Sequence, residues 1–153
     1  MKKSITGVIA IVLLTLSTAF ANTNNRNEKK EAVKQRVEKS FKKEFAGAQQ
    51  ATWSKVGAYH KVQFSYNGQV MFAVLNDDGK TMGVYRNILS HQLPINLMTS
   101  LKEDYSGYWI TELFELVQDN ETFYYVHLES ADKSITLRSE NGSQWSEYQM
   151  SNK

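Results

Sequence analysis

The sequence predicts an α+β fold: a tandem repeat of one helix plus four antiparallel strands. Joined, the two copies give an eight-stranded antiparallel sheet with two helices on one face. Three observations predict it. An apolar stripe of helical period occurs twice, sixty residues apart. Strand-length apolar runs follow each stripe. The links between those runs are hairpin-short, and parallel strands would need long crossovers instead.

The chain opens with an address rather than a fold. Lys2 and Lys3 precede the apolar run Val8–Leu16, and Ala19-Phe20-Ala21 follows with small residues where a signal peptidase reads. That three-part pattern predicts a signal peptide over 1–21, cleaved before Asn22. The run falls short of the ~20 residues of a membrane span, so no stable membrane insertion is expected after cleavage. A location in the periplasm or outside the cell follows. Residues 22–30 are polar, without sustained apolar periodicity, and are expected to form a disordered leader.

The first helix is expected over 33–45, where Val33, Val37, Phe41 and Phe45 recur at every fourth position among Lys, Arg, Glu and Gln. Gly47 follows as a left-handed terminator. Strands are expected at 51–56, 59–66, 69–75 and 81–88. Asn67-Gly68 makes a two-residue hairpin turn, and Asn76-Asp77-Asp78-Gly79 supplies the next turn. The second helix, over 93–105, aligns Leu97, Leu101 and Tyr105 with Val37, Phe41 and Phe45, and Pro94 suits its first turn. Strands at 109–117, 122–129, 133–138 and 144–149 complete the plan, with Asp119-Asn120, Ala131-Asp132 and Glu140-Asn141-Gly142 as turns. The folded domain is thus expected over 31–150, in units of about 31–90 and 91–150.

Side chains alternate across a strand, so parity assigns the faces. Val62, Phe64, Val126, Leu128, Ile135 and Leu137 are expected against the helices. Tyr59, Lys61, Phe123, Tyr125 and His127 then fall on the opposite, open face, with Trp109 close to them. The third strand is apolar at both parities, which calls for a cover on its second side.

A chain with 18 Lys+Arg and 16 Asp+Glu lacks the charge of a general nucleic-acid binder. Hydrophobic residues at 41% exclude a disordered chain. The charge is unevenly spread: residues 22–45 hold eight Lys/Arg against four Glu, and residues 46–153 hold eight against twelve Asp/Glu. The absence of Cys excludes disulfides and thiolate metal sites. His60, His91 and His127 have no ligand partner at metal-binding helical spacing, so no metal and no cofactor are expected. Asn76–Gly79 lacks the spacing and closing Glu of a calcium loop. No P-loop, dinucleotide fingerprint or nucleophile elbow occurs. Glu112 and Glu115, three apart on a strand, point to opposite faces and cannot pair as acid and base. No catalytic residue is assigned.

The ordered set Phe41-Lys42-Lys43-Glu44-Phe45-Ala46-Gly47-Ala48, Trp53-Ser54-Lys55, Tyr59–Phe64, Asn67-Gly68, Ala73, Asn76–Gly79, Leu93-Pro94 and Tyr105-Ser106-Gly107-Tyr108 resembles the PepSY-like family of periplasmic proteins. The likeness covers about 33–149. It implies a fold like the β-lactamase inhibitor protein, a place outside the bacterial cytoplasm and no established enzymatic activity. It does not imply inhibition of a β-lactamase, whose inhibitor relies on disulfides and loop residues unmatched here.

The function expected is a non-enzymatic binding module that takes a protein or peptide on the open sheet face through Tyr59, Lys61, Phe123, Tyr125 and His127. The alternatives are a small secreted enzyme whose carboxylate and His residues meet only in three dimensions, and an envelope assembly protein that docks its basic helix on an acidic surface.

Overall fold

The computed structural model describes residues 27–152. The expected signal peptide lies outside them. Helix α1 (Asn27–Glu44) leads into β1 (Gln49–Val56), β2 (Tyr59–Tyr66), β3 (Gln69–Leu75) and β4 (Thr81–Asn87). A single 3-10 turn at Ser90–Gln92 precedes α2 (Ile95–Asp104), followed by β5 (Trp109–Gln118), β6 (Glu121–Glu129), β7 (Lys133–Ser139) and β8 (Ser146–Asn152). The eight strands form one sheet in sequence order, β1 to β8, with short connections everywhere except between β4 and β5, where the 3-10 turn and α2 intervene. No described helix is long and apolar enough to cross a membrane.

Two differences from expectation concern ends. Residues 27–30, assigned to the leader, belong to α1. Glu and Lys are good helix formers even without an apolar stripe. Strand β8 begins at Ser146 and reaches Asn152 rather than spanning 144–149.

The chain divides into two compact units, the first ending at Val84 and the second beginning at Tyr85. In the first, Val37 and Phe41 of α1 pack on Val62, Phe64, Ala73 and Leu75. The interior is aromatic: Phe41 meets Phe64 edge-on at 5.0 Å and Trp53 at 5.3 Å, while Phe45 lies 5.0 Å from Phe64. The β2–β3 register pairs Val62 with Ala73 and Phe64 with Met71. It therefore turns Met71, Ala73 and Leu75 toward α1, and Val70, Phe72 and Val74 away from it.

The helix-side interior of the second unit is aliphatic. Leu97 and Leu101 of α2 pack on Leu113, Val126, Leu128, Ile135 and Leu137. Trp145 closes the side of this core, its indole N–H donating to the Leu97 carbonyl at 3.0 Å. All six side chains placed against helices by parity are there, each within its own unit.

One glycine in each unit seats a turn on its helix. Gly79, at φ +81°, lies so close to α1 that an added Cβ would stand 2.5 Å from the Ser40 hydroxyl oxygen. Gly142, at φ +69°, approaches Pro94 at the start of α2, with a Cβ-to-Cγ distance of 3.3 Å. Both positions require a left-handed backbone that a Cβ disfavours.

Candidate functional site

The face of the second unit turned away from α2 is built by alternation on β5, β6 and β7. Register pairs Phe114 with Tyr125, Leu116 with Phe123 and Glu112 with His127. It also pairs Tyr125 with Arg138 and His127 with Thr136. Phe114 stacks on Tyr125 at 5.1 Å, Tyr85 approaches Phe114 at 5.6 Å, and Tyr148 meets Tyr125 edge-on at 5.7 Å. The Arg138 guanidinium lies 4.7 Å from the centre of the Phe123 ring, a cation–π arrangement, and pairs with Glu140 at 3.1 Å.

These contacts change the standing of the predicted residues. Phe123 is 3% exposed and Tyr125 not at all, so neither can anchor a partner by direct contact. Alternation assigns a side chain to a face; whether anything covers it depends on more distant residues. Here Tyr148 and Arg138 supply the cover. Lys61 is also buried, at 7%, with its ammonium 4.8 Å from the Phe72 ring centre. It therefore covers the second side of β3 instead of reaching into solvent. Tyr59 and His127 are half-buried.

Burial also governs the ionisation of these groups. It pushes the Tyr125 hydroxyl from 10 to about 12, partly opposed by the charge of Arg138. Burial raises Tyr85 further still, with Glu112 adding to the effect. Tyr148 is raised in the same direction by burial. The phenols of this face therefore stay neutral across physiological pH, as a packed interior requires.

Beside this covered bed lies an open polar end. Trp109, at 53% exposed, stands cross-strand from Glu129. His127 shares a hydrogen bond of 2.9 Å between Nδ1 and the Thr136 hydroxyl, and its Nε2 lies 3.9 Å from Glu129. Glu112 is exposed next to it. A His between a hydroxyl and a carboxylate has the outline of a nucleophile relay, but Thr136 is 2% exposed. A substrate has no approach to that oxygen, so the trio positions His127 rather than performing chemistry. Glu115, three residues from Glu112, lies on the other face, where its carboxylate accepts from Arg86 Nε at 2.7 Å and faces the Tyr124 hydroxyl at 3.5 Å.

In the first unit His60 stands cross-strand from Leu75, on the α1 side. Its Nε2 donates to Asp77 at 2.8 Å, and Lys55 approaches the same oxygen at 3.7 Å. The His60 hydrogen bond, helped by the Lys55 charge, holds the Asp77 carboxyl below its ordinary range. Asp78 pairs with Arg36 of α1 at 3.4 Å, and the Asn76 side chain accepts from the Asp78 and Lys80 amides. Asn76 thus closes the turn, Asp77 ties it to β1 and β2, and Asp78 ties it to α1, the structural role that its turn letters predict. Among the described residues no group of three His, Asp or Glu side chains could hold a metal ion.

One signal escaped a reading by strand parity alone. In the sequence, residues 22–84 carry eleven Lys/Arg and six Asp/Glu, and residues 85–153, the second unit, carry five and ten. The net charges are +5 and −5. The boundary between units sharpens the uneven spread of charge already present in the sequence.

The fold defines the class to which the chain is similar, that of BLIP-like proteins. A BLIP-like protein from Bacteroides fragilis superposes with a TM-score of 0.65 at 18% identity, covering 77% of this chain and 84% of that one. A DUF2874 family protein from Bacteroides uniformis gives 0.67 at 14% identity, over 76% and 87%. A protein from Bacteroides eggerthii, provisionally described as periplasmic, gives 0.64 at 12% identity, over 84% and 90%. At such identities the likeness is one of fold. No protein-family profile matches the chain, and no curated protein matches it in sequence.

Proposed function

We propose that this chain is an exported, non-enzymatic binding module of PepSY-like type. It works in the periplasm or outside the cell and takes a protein or peptide on the sheet face away from its helices. The observation that carries this reading is the pairing of a rigid, buried aromatic bed with an exposed Trp109 at its margin. Tryptophan is the residue most enriched at binding hot spots, and a large ring left 53% exposed on a preorganised strand loses little freedom on binding. BLIP-like and periplasmic neighbours are compatible with such a role.

Contact in the second unit falls to Trp109, Glu112, His127 and Glu129. Phe123 and Tyr125 act beneath them as support. In the first unit Tyr59 and the exposed Val70 offer contact, with Lys61 as support. Residues 1–21 direct export and are removed.

A photo-crosslinking side chain at position 109, compared with one at the exposed Thr99 of α2, tests the proposal in the native cell envelope. A discrete adduct at 109 and at 59, absent at 99, is the expected result. Equal labelling from all three positions would remove the face from consideration.

A further inference from the structure

The charges of the two units point to the kind of partner that fits the acidic one. On α1, Lys39, Lys42 and Lys43 are exposed and share one helix face by their three- and four-residue spacing. Lys34 adds a fourth exposed ammonium toward the start of the helix. None of these lysines touches the α1 core, which uses Val37 and Phe41. On the second unit, Glu112 and Glu129 flank His127 at the open end of the sheet face, with the exposed Trp109 ring beside Glu129.

We infer that the partner of this acidic face is the basic helix α1 of a second copy of the same chain, joined head to tail. The steps are electrostatic and geometric. The exposed lysines of α1 and the carboxylates of Glu112 and Glu129 carry opposite charge and attract between copies. Lysines at helix spacing stand ~5–6 Å apart, and diagonal neighbours on a sheet stand ~7–8 Å apart. Two ammonium groups on flexible stems therefore reach the carboxylates of Glu112 and Glu129 together. Trp109 receives the apolar stem or the charge of a lysine.

The contact joins two different surfaces, the helix of one copy and the sheet face of the other. Assembly therefore depends on concentration, and closes into a pair or ring or continues according to the rotation between copies. The inference rests on the proposed face for its location. It adds the occupant.

Sedimentation velocity on the chain from Asn22 onward tests it. The expected result is association at an ionic strength of ~0.01 M that is lost at ~0.15 M, as the screening length falls from ~30 Å to ~8 Å. A first variant carries Lys39→Glu, Lys42→Glu and Lys43→Glu; a second carries Glu112→Lys and Glu129→Lys. Each alone is expected to be monomeric at low salt. Mixed, they reassemble, because the acidic helix of the first meets the basic face of the second. Should a reversal disturb the circular dichroism, Gln at the same positions is expected to weaken wild-type association at least ~10-fold, a loss of ~1.4 kcal/mol.

A wild-type chain that stays monomeric at low salt overturns the inference, as does assembly that survives either reversal. A monomeric chain still crosslinked through position 109 to another envelope protein overturns the inference and leaves the binding face standing. Neither assembly nor crosslink overturns both.

Discussion

The two units bury their most enclosed rings on opposite sides of their strands, Phe41 and Phe64 on the helix side in the first, Phe114, Phe123 and Tyr125 away from the helix in the second. In the first, Phe41, Phe45, Trp53, Phe64 and Tyr66 gather under α1. In the second, the buried positions under α2 are Leu, Ile and Val, with Tyr105, Tyr108, Tyr124 and Trp145 packed around them, while Tyr85, Phe114, Tyr125 and Tyr148 gather on the other face. Helix length accompanies the contrast. The 18-residue α1 lies over bulky rings, whereas the ten-residue α2 lies over branched aliphatic side chains. The comparison teaches that an aromatic face on a strand is a core or a surface according to what lies across from it. Helix coverage alone does not decide.

The largest expected effect tests that contrast directly. Phe64→Ala should cost ~3–5 kcal/mol, the usual range for a buried aromatic. Tyr125→Ala should fall in the same range although it lies away from the helix. Denaturant unfolding of both variants measures this. A cost below ~1 kcal/mol for Tyr125→Ala would show its face to be a loose skin, and the proposed support for Trp109 would go with it.

The paired turns give the next effect. Gly142→Ala should cost ~1–2 kcal/mol, the cost of a Cβ in the left-handed region. Gly79→Ala should cost more than Gly142→Ala, since its Cβ also meets Ser40. Ser40→Gly should recover the excess and leave the backbone portion. Equal costs at the two glycines would mean that the turn of the first unit yields as easily as that of the second.

Alkaline titration sharpens the comparison further. A phenol whose folded pKa is raised stabilises the fold below its unfolded value and loses that contribution as pH rises through the folded one. Tyr125 should therefore hold its proton until about pH 12, with the fold weakening as it ionises. Phenolate absorbance of wild type against Tyr125→Phe isolates that step. Ionisation of Tyr125 near 10 would show water reaching the second-unit cluster.

The smallest effect belongs to the first-unit turn. Asp77 has a lowered folded pKa, so its contribution is present above the unfolded value and disappears as pH falls through the folded one. Its exposure keeps that contribution small. Carboxyl chemical shifts followed through acid should show Asp77 titrating below its ordinary range in wild type and nearer to it in His60→Ala.

Much of this architecture was legible in the sequence because it is local. The limits of β2 and β3 follow from Asn67-Gly68 and the flanking alternation, and the observed φ of +50° and +77° at those two residues is what such a turn needs. The double apolar parity of β3 signalled its hidden second side, later seen to be capped by Lys61 over Phe72. The 3-10 turn at Ser90–Gln92 carries no period to detect. The burial of Phe123 and Tyr125 was illegible for a different reason. Tyr148 reaches Tyr125 across an intervening strand, past β7, and no spacing in the chain encodes that reach. The proposed contact residue Trp109 was visible beside the site, but only its 53% exposure separates it from the buried aromatics around it.

Gly79 and Gly57 carry one practical consequence for handling the protein. A Cβ at Gly79 would collide with α1, whereas one at Gly57, between β1 and β2, meets nothing within 4 Å. A peptide epitope or fluorophore-bearing insert spliced between Gly57 and Ala58 should therefore leave the molecule intact, and the same insert beside Gly79 should pry the hairpin from its helix. The first loop is thus the place to attach a reporter.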